Sequence, residues 1–300
     1  MTSNILKIGK KVVNALENNK PVIALESTII SHGMPYPQNL KVAKKLENIA
    51  DSMGVVPATV CLMNGKIKIG VNEEELKILA QSSNVVKVSS RDLGKVLAEG
   101  KVGATTVAAT MIAARLAGIK VFATGGIGGV HRSVNDSYDI STDLIEFSRN
   151  PVIVVSAGAK AILDLSKTLE FLETYGVPVY SFKTDIFPAF YSSTSDLSVE
   201  QINSVEAIAA IYKKNLELGL KQGMLIANPI PRKDEITIEK MNKIIKIALD
   251  DAKQKGIKGK KLTPFLLAKI VELSDGDSLK TNIKLVENNV KLACKIAKVL

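Results

Sequence analysis

Pro151-Val-Ile-Val-Val-Ser-Ala-Gly-Ala-Lys160 is an apolar, β-branched run that ends in small residues and a lysine. It reads as a buried strand feeding a helix, here over Ala159 to Leu172. On either side the chain alternates short apolar strands with amphipathic helices, the pattern of a layered α/β domain with a largely parallel sheet. Helices are expected over Ile5 to Glu17 and Gln38 to Met53, and strands at Pro21 to Leu25, Ala58 to Met63, Val85 to Val88, Lys120 to Ala123, Val152 to Val155, Val177 to Ser181 and Gly223 to Ala227. Asn64-Gly65 between Ala58-Thr-Val-Cys-Leu-Met63 and Lys66-Ile-Lys-Ile69 is a hairpin signal that makes part of the sheet antiparallel. From Glu235 the pattern is helical and closes in Ser278 to Leu300, whose Ile283, Val286, Val290, Ala293 and Ile296 form one stripe suited to core packing or a subunit contact. The expected fold is α/β, three-layer α/β/α with a mixed, mostly parallel sheet, as one domain over residues 1–300.

With 300 residues, 46% of them hydrophobic, the chain is long enough for one large α/β domain or two small ones. It shows no secretory segment near Met1 and no apolar stretch of roughly 18 residues, so a soluble, cytoplasmic protein with no membrane partner is expected. Cys61 and Cys294 lie far apart without a CxxC or a Cys/His cluster, which supports neither a disulfide framework nor a zinc site. The formal charge of +10 suits nucleic acid, an anionic metabolite or a lysine-rich surface. Nucleic acid is the weakest of these, because Trp is absent and aromatics make up only 4% of the chain, too few to interleave with basic residues as stacking platforms. The most basic stretch, Lys253 to Lys261, reads as a solvated turn between helices.

Several strand ends carry polar residues, and in open α/β sheets ligands bind at the carboxyl ends of strands. Lys160 loses hydration if held behind a buried strand, which favours the neutral amine, a nucleophile for a sugar carbon or a carbonyl. Its bland alternative is to snorkel along the first turn of the following helix. In Ala24-Leu-Glu-Ser-Thr28, burial would keep Glu26 protonated as a general acid, unless it caps a helix or pairs with a base. Phe122-Ala-Thr-Gly-Gly-Ile-Gly-Gly-Val-His-Arg132 is a strand opening into a loop whose four glycines permit positive φ and close approach of N–H groups to an anion. His131 and Arg132 beside it suit either a phosphate contact or solvent. Asp139 and Asp143 in Ser137-Tyr-Asp-Ile-Ser-Thr-Asp-Leu144 are spaced i,i+4, so one helical turn would place both carboxylates on one side, a hard oxygen site for Mg²⁺ or Mn²⁺; Asp139 or Ser141 could instead cap a helix. The small residues of Lys101 to Met111 open a helix whose N-terminus could hold an anion or a base edge, or pack closely on a neighbour. In Val85-Val-Lys-Val-Ser-Ser-Arg-Asp92, Lys87 sits inside an apolar strand.

Together these segments resemble the pseudouridine-5′-phosphate glycosidase family, also called pseudouridylate synthase or indigoidine synthase A-like. The resemblance rests on Ala24-Leu-Glu-Ser-Thr-Ile-Ile-Ser-His-Gly33, Gly103-Ala-Thr-Thr-Val-Ala-Ala-Thr110, Thr124-Gly-Gly-Ile-Gly-Gly-Val-His-Arg132, Asp139-Ile-Ser-Thr-Asp143, Ser156-Ala-Gly-Ala-Lys-Ala-Ile-Leu-Asp164 and Thr263-Pro-Phe-Leu-Leu267, in family order over nearly the whole chain. It implies that Lys160 is the nucleophile, Glu26 the proton donor and Asp139 a ligand of Mn²⁺, with Mg²⁺ as the alternative. It also implies substrate contacts from Lys87, Thr106, Val107, Ser141, Thr142 and Asp143, a phosphate contact from His131, and Asn282 near the uracil. A homotrimer is implied as well. Ser156, Thr142 and Ser133 stand where the family commonly has cysteine, alanine and glycine; none of them replaces a reacting group.

The chemistry explains the lysine. A carbanion at uracil C5 is too poor a leaving group for the two-carboxylate route of ordinary glycosidases. Attack of an amine on C1′ with protonation of the ring oxygen opens the ribose, and carbon–carbon cleavage can then leave an imine. Two other readings compete. A Schiff-base aldolase would use the same lysine but would normally sit on an eightfold barrel, against which the Asn64-Gly65 hairpin and the helical C-terminal third argue. A non-catalytic nucleotide- or RNA-binding protein would explain the charge and the glycine loop but not Glu26 and Lys160.

Overall fold

The computed structural model describes residues 4–257, 259 and 262–300. The chain opens with β1 (Leu6–Ile8) and α1 (Lys10–Glu17), then β2 (Val22–Leu25), α2 (Thr28–Ser31) and α3 (Gln38–Ser52). The hairpin β3 (Val56–Met63) and β4 (Lys66–Ile69) follows, then α4 (Glu73–Gln81), β5 (Val86–Val88), α5 (Leu93–Ala98), β6 (Gly103–Thr105) and α6 (Val107–Leu116). Next come β7 (Val121–Ala123), β8 (Val130–His131), α7 (Val134–Ser137), α8 (Thr142–Phe147), β9 (Ile153–Ser156), β10 (Leu163–Asp164) and α9 (Leu165–Thr174). The last third holds β11 (Val179–Phe182), β12 (Glu200–Ile202), α10 (Val205–Glu217), β13 (Met224–Ala227), α11 (Ile238–Gln254), α12 (Leu262–Leu273) and α13 (Asp277–Ala297).

Among the described residues, eleven strands form one sheet whose main path runs β1-β4-β3-β2-β7-β9-β13-β11-β12, with β5 and β6 attached at β3. Only β3 with β4 and β3 with β6 pair antiparallel; every other ladder of this sheet is parallel. The sheet is therefore mixed and mostly parallel, as the strand and helix alternation requires. Its central strands β2, β9 and β13 are buried at every position, which is why they read as continuous apolar runs. Helices complete the three layers, with α13 laid along β2, β7 and β9 and α6 against β2, β3, β4 and β7. The hairpin forms as its dipeptide demands: Asn64 and Gly65 take φ of 52° and 68°, the left-handed pair of a tight two-residue turn. Val286, Val290, Ala293 and Ile296 of α13 are buried in the main core, so the C-terminal stripe is core packing.

Two of the expected elements differ. The stretch Ile5 to Glu17 is not one helix; Leu6–Ile8 pairs with Ile67–Ile69 as a parallel edge strand, and only Lys10 onward is helical. The strand through Val155 does not run into a helix at Ala159. Residues 157–162 form a loop, Leu163–Asp164 pairs antiparallel with Val130–His131, and the helix starts at Leu165, where Asp164 accepts the Lys167 N–H as its cap. Of the basic stretch Lys253 to Lys261, positions 258, 260 and 261 lie outside the described residues.

Candidate active site

The parallel strands β3, β2, β7, β9, β13, β11 and β12 end on the same edge, and residues that follow β2, β7 and β9 help to enclose a cleft of roughly 210 Å³. Glu26 follows β2 directly and is 8% exposed. Its carboxylate accepts hydrogen bonds from the hydroxyls of Thr28 and of Thr124, the residue just past β7. Lys160 projects from the loop after β9, so it does not snorkel along a helix. Its backbone is pinned on both sides: its N–H donates to Ile127 O at 3.0 Å, and its carbonyl accepts from Leu163 N at 3.0 Å. The ammonium group makes no hydrogen bond or ion pair among the described residues, so no carboxylate neutralises it. A lysine fixed in the backbone and unpaired at its tip is what an amine nucleophile needs.

The glycine-rich loop does not use the positive φ that its glycines permit. None of Gly125, Gly126, Gly128 and Gly129 has a positive φ. They are glycines because their neighbours come too close for a Cβ: at Gly126 it would sit 2.5 Å from the Phe190 ring, and at Gly128 it would collide with Ser141 Oγ. Nor is the Gly128 N–H available to an anion, since it donates to Asp143 Oδ2 at 2.8 Å. Asp143 Oδ1 accepts the Ala108 N–H at 2.9 Å, in the first turn of α6. This overturns the expectation that Asp139 and Asp143 share one turn of a helix. Asp139 lies before α8, whose cap is Ser141, accepting from Asp143 N at 3.2 Å, and Asp143 spends both oxygens on backbone amides.

Asp139 faces the cleft with its Oδ2 3.8 Å from His131 Nε2. Burial pushes the His131 imidazole below its usual range; Asp139 opposes the shift, while Lys87 and Lys160 reinforce it. Among the described residues no group of three or more His, Cys, Asp or Glu side chains converges on a point. The donor set thus fits a divalent ion that keeps most of its water and takes a single protein carboxylate, a mode that suits Mg²⁺ and Mn²⁺. It does not fit a closed protein cage.

Lys87, Thr106, Val107, Ser141 and Asn282 also line the cleft, so the expected residues converge on it with one exception. Thr142 does not line it; its hydroxyl pairs with Ser89 Oγ at 2.5 Å. Three atoms on the wall, His32 Nε2, Thr106 Oγ1 and Asn282 Oδ1, are buried and have no partner among the described residues. Buried polar atoms are nearly always paired, so three orphans around one cleft suit a polar ligand. His32, Thr28 and Thr124 were not among the residues picked out from the sequence, whereas Arg91, just beyond the strand that carries Lys87, lines the cleft as well. For His32 the signal was there, as one of two histidines, inside the Ala24–Gly33 segment.

A sequence model described as indigoidine synthase A like protein matches residues 11–299. The chain belongs to the indigoidine synthase A-like family. Within this family it is 53% identical over 298 residues to the pseudouridine-5′-phosphate glycosidase of Petrotoga mobilis, covering 99% of this chain and 97% of that one. It is 54% identical over 296 residues to the enzyme of the same name from Caldanaerobacter subterraneus subsp. tengcongensis, covering 98% and 96%. Among solved structures, the prealnumycin C-glycosynthase AlnA in complex with ribulose 5-phosphate superimposes with a TM-score of 0.92 at 34% identity, covering 99% and 97%. An indigoidine synthase A-like protein from Thermotoga maritima gives 0.89 at 37%, covering 98% and 96%.

Proposed function

We propose that this member of the family cleaves the C-glycosidic bond of pseudouridine 5′-phosphate reversibly, giving uracil and ribose 5-phosphate through an imine on Lys160. The observation that carries this reading is the meeting of an unpaired lysine and a buried, hydroxyl-bound glutamate in one cleft with three orphaned polar atoms. Full-length relatives that bear the glycosidase name at about half identity supply the substrate class.

In this mechanism the Lys160 amine attacks C1′, the bond from C1′ to the ring oxygen breaks, and Glu26 delivers a proton to that oxygen. The attached nitrogen gives up a proton to the Glu26 carboxylate, and the lone pair so freed then forms the C1′ imine as the bond from C1′ to uracil C5 breaks. That bond's electron pair passes to the uracil ring, which takes up a proton at C5. Water adds to the imine and releases ribose 5-phosphate and the free lysine. Lys87 and His131 would meet the phosphate, Thr106, Val107 and Ser141 the sugar and base, and Asn282 the uracil edge. The Asp143 carboxylate would act by holding the α6 N-terminus and Gly128 in place. Asp139 would hold a hydrated Mn²⁺, or Mg²⁺, which supplies charge and ordered water at the phosphate end. The reading includes a homotrimer in the cytoplasm; among the described residues no helix is long and apolar enough to cross a membrane.

The test is uracil release from pseudouridine 5′-phosphate, with and without Mn²⁺, alongside borohydride reduction in the presence of ribose 5-phosphate. Wild type should release uracil and gain a pentose phosphate adduct on Lys160, and folded Lys160→Ala should do neither. An active Lys160→Ala variant would sink the imine route, and no uracil from wild type under either condition would sink the substrate.

A further inference from the structure

Behind the cleft, away from its lining, buried amides join the strand ends that carry the two reacting groups. Asn289, on α13, is 0% exposed. Its Nδ2 donates to Thr124 O at 2.8 Å, with Gly125 O at 3.4 Å, and its Oδ1 accepts from Asn228 Nδ2 at 3.0 Å. The Thr124 hydroxyl donates a hydrogen bond to the Glu26 carboxylate. Asn228, just past β13, donates its N–H to Ser156 O at 2.7 Å. Ser156 ends β9, and its Oγ donates to Gly158 O at 3.0 Å inside the loop that presents Lys160. One side chain therefore fastens the glutamate's partner on one side and the lysine's loop on the other.

Packing does not require an amide there. The neighbours of Asn289 on α13, among them Leu285, Val286, Val290, Leu292 and Ala293, are buried apolar residues that already dock the helix on the sheet. A fully buried amide is costly unless its bonds are made, and an apolar residue would bury as well at no such cost. The bonds it makes go to two residues whose other contacts lead to the chemistry.

We infer that Asn289 is a positioning residue that sets the placement of Glu26 relative to Lys160. The inference rests on the reading of those two as proton donor and nucleophile. Misplacing reacting groups by about 1 Å costs on the order of 100-fold in rate, without a matching loss of binding.

The experiment compares wild type, Asn289→Ala, Asn228→Ala, Thr124→Val and the Asn289→Ala/Thr124→Val double variant, measuring kcat for uracil release and the affinity for ribose 5-phosphate by calorimetry. For Asn289→Ala the expected result is a kcat lower by roughly 30- to 100-fold with ribose 5-phosphate affinity within about threefold of wild type. Because both substitutions act through Thr124, the double variant should lose far less than the product of the single losses. A kcat within about threefold of wild type, equal losses in kcat and affinity, or fully multiplicative losses in the double variant would each overturn the inference. If Asn289→Ala does not fold, Asn228→Ala breaks the same chain at its other end and carries the same expected and overturning results. Loss of uracil release by wild type itself would overturn the functional reading, and this inference with it; a normal wild type beside a normal Asn289→Ala overturns only the inference.

Discussion

Replacing Asp143 with asparagine removes one oxygen and leaves the shape of the side chain unchanged. Asp143 is 5% exposed, and its two oxygens accept the Ala108 N–H at 2.9 Å and the Gly128 N–H at 2.8 Å. Whichever way the new amide turns, its NH₂ faces one of these backbone donors. One bond to a charged acceptor is lost, worth about 1.5–3 kcal/mol, and a buried N–H is left unpaired. The expected destabilisation is about 2–4 kcal/mol, and Asp143→Ala, which strands both N–H groups, should cost more than Asp143→Asn. Ser141→Ala is the control, because it deletes only the cap of α8 and should cost about 1 kcal/mol. Urea unfolding followed by circular dichroism measures all three. Should Asp143→Asn unfold within about 0.5 kcal/mol of wild type, the bridging role of the carboxylate would be wrong, since changes that small are what ordinary surface substitutions give.

Gly128→Ala should inactivate the protein and lower its unfolding midpoint, because the added Cβ collides with Ser141 Oγ and stands 2.7 Å from Asp143 Oδ2; a variant with wild-type turnover contradicts the packing of the loop. Asp139→Ala should abolish stimulation by Mn²⁺ and tight Mn²⁺ binding measured by calorimetry or paramagnetic resonance, while the thermal midpoint stays close to wild type because its carboxylate accepts no hydrogen bond among the described residues. Burial first, and then the charge of Lys87, holds His32 below its ordinary value of 6.5. The folded state therefore binds fewer protons than the unfolded chain, so this contribution to stability is complete above about pH 6.5 and is lost as the pH falls through the depressed folded value. Urea midpoints of wild type and His32→Gln between pH 7.5 and 5 should converge or cross on the acid side; parallel curves would contradict the sign.

What could be read from the sequence follows from how local each cause is. The strand Ile153–Ser156 and the hairpin turn at Asn64-Gly65 are dictated by residues within a few positions, a β-branched run in one case and left-handed backbone angles in the other. Leu6–Ile8 is a strand only because Ile67–Ile69 lies beside it, a pairing across 61 positions that helix periodicity over Ile5 to Glu17 does not contain. The strands Gly103–Thr105, Val130–His131, Leu163–Asp164 and Glu200–Ile202 are two or three residues long, too short to show a period of two. Thus the central strands and the short Val86–Val88 were legible, and these four short strands, two of them in a separate two-stranded sheet, were not.

The site divides along the same line. Glu26 and Lys160 were legible because a polar residue at the end of an apolar strand is an anomaly of local sequence. The difference between Asp139 and Asp143 was not, since both are aspartates near the start of one helix, and what separates them is the Ala108 N–H, 35 positions away, and the Gly128 N–H, 15 away. The same holds for the loop glycines. Composition fits an anion cradle, while the neighbours of Gly126 and Gly128 show that glycine is required there for space. Both corrections meet at one contact: the Asp143 carboxylate and the Gly128 N–H, which looked available to a metal or an anion, bond each other. That leaves Asp139, His131 and the orphaned atoms of His32, Thr106 and Asn282 to meet whatever enters the cleft. Substitutions on the first set should therefore register in unfolding before they register in binding, and substitutions on the second set should do the reverse.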